Sequence, residues 1–294
     1  MLLVTFAADD GESRLGVQRG GDIVDVGALA ADVPATMAEL IAGGDAALTA
    51  VTNLLARPVP ASALRRPSGV RLRAPLRPGK IVGVGLNYTE HVAESARTLD
   101  TDKDLPQRPV LFSKPGTAVV GPGEPILHNG NLTEQLDWEC ELAVVIGRTA
   151  WHVRPEDALA HVFGYSIVND ISARDQRRSG QWFYSKGQDS YAPFGPVIRT
   201  ADDVADPHSL ELSLRVNGQE KQKGNTRYML FRIPELIADI TAGMTLEPGD
   251  VISTGSPAGV GASFTPPQFL RPGDVVEATV EGIGTLRNPV VDAR

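Results

Sequence analysis

The 294-residue chain has a single cysteine, Cys140, so it can form no internal disulfide, which suits a reducing compartment. Positive charge is also in deficit, with 28 lysines and arginines against 36 aspartates and glutamates, a formal net charge of -8. That balance argues against nucleic acid or an anionic membrane surface as the main partner. No apolar run approaches the roughly 20 residues needed to span a bilayer. The start, MLLVTFAADDGE, lacks the basic leader of a signal peptide and reads as a first strand. A cytoplasmic protein is the expectation. Internal repeats and low-complexity tracts are missing too. What remains is an ordinary globular composition, 42% hydrophobic and 22% charged, long enough for one large domain or one domain with a small appendage.

The pattern along the chain divides it in two. Residues 1–27 read as short strands with Gly-rich turns, and residues 36–56 as a helical stretch interrupted at Gly43-Gly44. A basic, Pro-rich passage over 57–79 marks a boundary or extended linker, giving a small N-terminal α/β region (1–75) and a main unit (80–294). In the main unit strands dominate: KIVGVG, PVLFSK, GYSIVNDIS and the tail GDVVEATVEGIGTL. Helices are expected from Tyr88 to about Leu99, after Pro155, and over IPELIADITAG. Asn217-Gly218 between alternating apolar positions is the strongest hairpin signal. This order fits an α+β, mainly β fold better than a regular series of βαβ units.

The stretch DWECELAVVIG (137–147) poses the chemical question. On a strand, Glu139, Glu141, Ala143 and Val145 share one face, while Cys140, Leu142, Val144 and Ile146 share the other. A solvated outer face is the plain reading of Glu-x-Glu, since acidic side chains sit outside. Adjacent like charges repel, however, and Glu is depleted in strands. A divalent cation would remove the repulsion, and hard cations take carboxylate oxygens. Asp170, 29 residues beyond Glu141, is a candidate third ligand. Cys140, turned towards the presumed core, reads as a small apolar residue.

His91 and Glu94, three apart on an expected helix, are either an incidental surface pair or a dyad in which Glu94 orients His91 to take a proton from water. Lys186 and Asp189 lie in a Gly/Pro-rich loop, KGQDSYAPFGP; beside a cation site, such a lysine binds an anionic substrate or donates a proton. STGSPAGVG (253–261) lacks the ending of a nucleotide P-loop, and is either a plain tight turn or a set of backbone amides that hold a carboxylate.

Taken in order, GLNYTEHVAES, LFSKP, DWECELAVVIG, NDISARD, KGQDSYAPFGP, the VNGQ hairpin and TLEPGDVISTGSPAGVG resemble the fumarylacetoacetate hydrolase superfamily from about Lys80 onwards. The similarity is greatest to its longer bacterial members and to the domain-containing-protein-2 branch. The resemblance implies a mixed β-sandwich roll, a homodimer, and one Mg²⁺ or Mn²⁺ per subunit. Carried over by motif, Glu139, Glu141 and Asp170 fall at metal-ligand positions, His91 and Glu94 at a catalytic dyad on a lid, and Lys186 at the active-site lysine. Tyr88, Lys114, Arg174, Gln176 and Thr254 fall at substrate-side or supporting positions, and Asp189 is taken as substrate-binding with them. Gln188 and Ser190, beside the lysine, depart from the family's usual residues.

Such proteins act on 2-oxo acids. With the His91–Glu94 pair present, the resemblance favours a hydrolase that cleaves a carbon–carbon bond of an acylpyruvate to pyruvate and a carboxylic acid. The alternatives are an oxaloacetate decarboxylase or tautomerase, or a 2-hydroxydienoate isomerase, all sharing an enolate at C3. A non-catalytic metal-stabilised binding protein is the outside case.

Overall fold

A computed structural model describes residues 1–8, 11–90 and 105–293. His91 and Glu94 lie outside the described residues, as does most of the helix expected from Tyr88. Among the described residues no helix is long and apolar enough to cross a membrane.

The fold is mainly β, as the alternation predicts. One 12-stranded sheet runs, in order, Leu64–Arg65, Asp22–Asp25, Ser13–Arg19, Leu2–Ala7, Ala192–Thr200, Val162–Asn169, Cys140–Ile146, Val251–Ser253, Ile81–Gly85 and Val110–Lys114, with Arg71–Arg73 and Val119–Val120 paired off this path. A 5-stranded sheet (Gln219–Asn225, Glu211–Val216, Val275–Val280, Gly284–Asp292, Ile126–His128) packs on it, and Leu136–Asp137 pairs with Ser172–Ala173 apart from both. The N-terminal strands continue the main sheet, since Leu2–Ala7 pairs antiparallel with Ala192–Thr200. Within the passage 57–79, Arg71–Arg73 also pairs with that first strand.

Cys140–Ile146 is central, and both its faces are covered. Cys140, Leu142, Val144 and Ile146 join a core with Leu212, Leu214, Ala278 and Val280 of the smaller sheet. Ala143 and Val145 join a second core with Met37, Leu40, Ile41 and Val51. Those four lie on the helices Met37–Ala42 and Gly44–Leu55, which break at Gly43-Gly44 as expected. Capping the second face is thus one service of the N-terminal region.

One local expectation shifts and another holds. The segment after Pro155 forms 3₁₀ turns over Pro155–His161 in place of an α-helix. IPELIADITAG is a helix over Ile233–Thr241. At the hairpin, Asn217 (φ 52°) and Gly218 (φ 77°) both take the left-handed conformation that a two-residue turn with the strands' own twist requires.

Candidate active site

The register of two strands assembles the acidic cluster. Cys140 pairs with Asn169 and Glu141 with Val168, so Asp170, one residue past its strand, stands opposite Glu139. Directly opposed residues share a face, so Asp170 joins Glu139 and Glu141 on one side of the sheet. The Asp170 N–H donates to the Glu139 carbonyl (2.8 Å), extending the ladder by one rung. One ligand oxygen from each of Glu139, Glu141 and Asp170 falls within 4.8 Å of the others. Glu139 is 5% exposed, Glu141 1% and Asp170 0%. The solvated-face reading of Glu-x-Glu fails because a folded-back loop and a helix close over that face.

That closure comes from elements distant in sequence. Ser253 Oγ (2.6 Å) and the Gly255 N–H (2.9 Å) donate to Glu141 Oε2. Ser256 Oγ donates to Glu139 Oε2 (3.2 Å) and Ser172 Oγ to Glu139 Oε1 (2.8 Å). Lys186, at the end of the short helix Trp182–Lys186, reaches Glu139 Oε1 (2.7 Å), Ser172 Oγ (2.8 Å) and Asp170 Oδ2. Arg174 bridges Asp137 Oδ2 (Nε, 2.8 Å) and Glu139 Oε1 (Nη2, 3.0 Å). The STGSPAGVG loop, open between a plain turn and a carboxylate-holding one, therefore holds carboxylates: those of the protein itself.

The electrostatics follow from burial. Burial, then Asp170 and Glu139, push the Glu141 carboxyl well above the usual carboxylate range, and the Ser253 hydroxyl only partly opposes them. No lysine or arginine nitrogen among the described residues comes within salt-bridge distance of Glu141. For Lys186, burial would lower the ammonium, but Asp170 and Glu139 outweigh it and hold it above its ordinary value. Arg174 behaves likewise, with Glu139 and Asp137 outweighing its burial. Three crowded, buried carboxylates, one of them (Glu141) with no cationic partner among the described residues, fit a divalent cation with oxygen ligands. In this cluster Glu139, Glu141 and Asp170 are the residues that would hold it.

Several expected substrate-side residues lie elsewhere or serve the frame. Lys114 is buried and its Nζ lies 2.7 Å from Asp170 Oδ1, while donating to the carbonyls of Ile171 (3.1 Å), Tyr191 (2.7 Å) and Lys186. Burial lowers its ammonium, with Asp170 only partly compensating. It clamps the site from beneath and has no donor left for a substrate. Arg174 is engaged by Asp137 and Glu139. Gln176 donates to the Leu132 carbonyl and accepts from Arg178. The Thr254 hydroxyl donates to the Leu142 carbonyl (2.8 Å), tying its loop to the central strand. Asp189 is exposed and lines a groove of about 710 Å³ with Arg73, Arg77, Thr117 and Glu124; none of the three carboxylates lines it. Tyr88 is buried, and its hydroxyl has no hydrogen-bond partner among the described residues; burial, then Glu141, raise it well above its ordinary value.

Asp137 went unnoticed in the sequence. It accepts from the N–H groups of Trp138 (2.8 Å), Gly261 (2.6 Å) and Ala262 (3.0 Å) as well as Arg174. The signal was present, because Asp137, Glu139 and Glu141 alternate with apolar residues at a period of two. Ser172, Ser253 and Ser256 carried no signal, since single serines in loops are common.

Gly255 is required where it stands. Its φ is +95°, and a Cβ there would lie 2.7 Å from Asn87 Cβ and 3.0 Å from the Val84 carbonyl oxygen. Gly255→Ala is expected to lower stability by about 1–3 kcal/mol and to turn the N–H away from Glu141. A thermal melt checks the first and titration with Mn²⁺ the second; a variant matching wild type in both would refute the role.

Comparison with known proteins agrees with this geometry. The family model described as fumarylacetoacetate (FAA) hydrolase C-terminal matches residues 80–291. An oxaloacetate tautomerase of Bos taurus, named FAHD2A, mitochondrial, is 41% identical over 298 residues, covering 99% of this chain and 92% of that protein. Oxaloacetate tautomerase YisK of Bacillus subtilis is 46% identical over 226 residues, covering 76% and 74%. A solved maleylpyruvate hydrolase from Sphingobium sp. SYK-6, in complex with manganese(II) and pyruvate, superposes with a TM-score of 0.82 at 32% identity, covering 100% of both chains. A mixed-β frame, a buried acidic triad beside a buried lysine, and these matches along the whole chain lead to one conclusion: the protein belongs to the fumarylacetoacetate hydrolase family.

Proposed function

We propose that the protein is a divalent-metal-dependent enzyme that interconverts the keto and enol forms of a small 2-oxo acid of the oxaloacetate type. The observation that carries this reading is the buried triad Glu139, Glu141 and Asp170 with the Lys186 ammonium set against it at 2.7 Å from Glu139. The two oxaloacetate tautomerases among its relatives support the outcome of the reaction. They favour tautomerisation over the acylpyruvate cleavage that the sequence motifs put first. Manganese in the related hydrolase structure supports Mn²⁺ or Mg²⁺ as the ion.

A bound divalent ion supplies Lewis acidity, which makes the C3 protons of a 2-oxo acid easier to remove. The chain's own residues do the rest. Glu139, Glu141 and Asp170 supply oxygen ligands from a rigid two-strand frame, so little reorganisation accompanies binding. Lys186, kept protonated by its carboxylate neighbours, offsets the negative charge that develops on the substrate as its C3 proton leaves. Burial keeps water away and strengthens that attraction. Tautomerisation then needs one proton lost at C3 and one gained at oxygen, with no water consumed. Cleavage would additionally require a water-activating base, the part assigned by motif to His91 and Glu94.

A parallel product assay tests the proposal. Enol-oxaloacetate, an acylpyruvate and maleylpyruvate are each supplied to the Mn²⁺-loaded protein after chelation and metal restoration. Accelerated conversion of enol- to keto-oxaloacetate, lost on chelation and restored with Mn²⁺, is expected. Pyruvate release from an acylpyruvate with no tautomerase activity would replace this reading with the hydrolytic one.

A further inference from the structure

We propose that Phe112, with Trp182 beside it, is a positioning residue: the negative face of its ring holds the Lys186 ammonium in the site. The inference goes beyond the reaction proposed above, although its rate test rests on that reading of Lys186.

The sequence signal is a pair of glycines. The strand Ile81–Gly85, IVGVG, places Gly83 and Gly85 on one face. Neither takes the left-handed backbone that glycine alone accepts readily. Glycine inside a strand weakens it, and marks a spot that another group approaches closely. Here the approaching groups are aromatic rings. A Cβ on Gly83 would lie 2.2 Å from Phe112 Cζ, and one on Gly85 would lie 2.6 Å from the Trp182 ring. Strand register supplies the first ring, because Gly83 stands directly opposite Phe112 on the neighbouring strand Val110–Lys114. The short helix Trp182–Lys186 supplies the second ring at one end and the lysine at the other. The two rings pack with centroids 5.5 Å apart and planes tilted by 45°.

Lys186 lies against this pair. Its Nζ sits over the Phe112 ring, 4.8 Å from the centroid, and over the Trp182 ring at 5.9 Å. The three donors of the ammonium go elsewhere, to Glu139 Oε1, Asp170 Oδ2 and Ser172 Oγ. The rings therefore act on it through their negative faces and not as hydrogen-bond acceptors. Lys186 is 5% exposed, so little water is left to stabilise its charge, and a ring face attracts a desolvated cation most strongly. Its two carboxylate partners, Glu139 and Asp170, are also the residues that would hold a divalent ion. An aromatic face is a partner for which such an ion does not compete, so it keeps the ammonium in place while the carboxylates are shared. Trp182 also carries the Arg177 guanidinium, with Cζ 4.5 Å from its centroid. Phe112, the nearer ring to Lys186, is therefore the one to change.

Site-specific replacement of Phe112 by mono-, di- and trifluorinated phenylalanine weakens the negative ring face stepwise while nearly keeping its shape. The fold is thus preserved where Phe112→Leu alone could disturb it. In the Mn²⁺-loaded protein, kcat for enol-to-keto conversion of oxaloacetate is expected to fall with each added fluorine, by roughly 2- to 30-fold in all. KM should change less, and Phe112→Leu should fall at the bottom of the series. A packing role predicts a flat fluorinated series with the loss confined to Phe112→Leu, and that result overturns the proposal. The geometry has a readout apart from turnover, in the metal-free protein. With ¹⁵N-labelled lysine, the Lys186 ammonium resonance is identified by its loss in Lys186→Arg. Phe112→Leu is expected to move the ammonium protons downfield, because the shielding above the ring is removed. An unmoved resonance overturns the proposal as well. If the Mn²⁺-loaded wild type does not interconvert the forms of oxaloacetate, the 2-oxo acid reading fails. The ammonium resonance then still decides whether the ring holds Lys186.

Discussion

Replacing Glu141 with glutamine is expected to abolish the rise in melting temperature that Mn²⁺ or Mg²⁺ brings to the wild type. Metal-dependent turnover should fall by at least ~100-fold, beyond the 10–100-fold typical of residues that only support a ligand. The reason lies in what surrounds Glu141. It is buried, raised towards its neutral form by burial and by Asp170 and Glu139, and among the described residues accepts hydrogen bonds only from Ser253 and Gly255. A cation is what would make its charged form favourable, and glutamine cannot supply that negative charge. Metal-free stability distinguishes this role from a structural one. Glutamine removes a repelled carboxyl, so the metal-free variant is expected to melt at or above the wild-type temperature. The same logic fixes the pH dependence. Since the folded protein favours the neutral form, a cation must displace a proton at Glu141, and wild-type affinity tightens as pH rises. That slope should flatten in Glu141→Gln. A variant that melts lower without metal yet still gains stability from Mn²⁺ would overturn the assignment.

Lys114→Met is expected to act in the opposite way, on stability first. Its ammonium joins Asp170 to the carbonyls of Ile171, Lys186 and Tyr191, and so ties together three segments that carry site residues. Methionine fills a similar volume but takes a charged donor from the buried Asp170, which keeps Lys186, and from three carbonyls. Removing one partner of a buried pair typically costs about 3–5 kcal/mol, here a drop in melting temperature of roughly 5–15 °C. Activity should fall with it, because Asp170 and Lys186 lose their common anchor. The motif comparison gave Lys114 a substrate-side role, which predicts something different: a raised KM with unchanged thermal stability. That result would restore the motif reading.

These residues show how far the sequence reaches. The period-two alternation of DWECELAVVIG sorted its side chains correctly. Cys140, Leu142, Val144 and Ile146 enter one core and Ala143 and Val145 the other. Alternation is local, set by the strand itself, so no knowledge of the rest of the chain was needed. The hairpin at Asn217-Gly218 and the helix break at Gly43-Gly44 were legible for the same reason. The 3₁₀ turns after Pro155 were not, because apolar spacing over seven residues does not separate them from one α-helical turn.

Motif order also placed Glu139, Glu141, Asp170 and Lys186 in one neighbourhood, and register explains why Asp170 belongs there. A fixed strand pairing puts it opposite Glu139. The sequence by itself thus determined the two faces of the central strand and the acidic residues available to a cation. Tertiary structure alone decided which charges remain for a ligand. Whether Lys114, Arg174 or Thr254 meets a substrate or a neighbour depends on partners brought from up to 112 positions away. A side chain's identity states what it can bond to; only packing states what it has bonded to already.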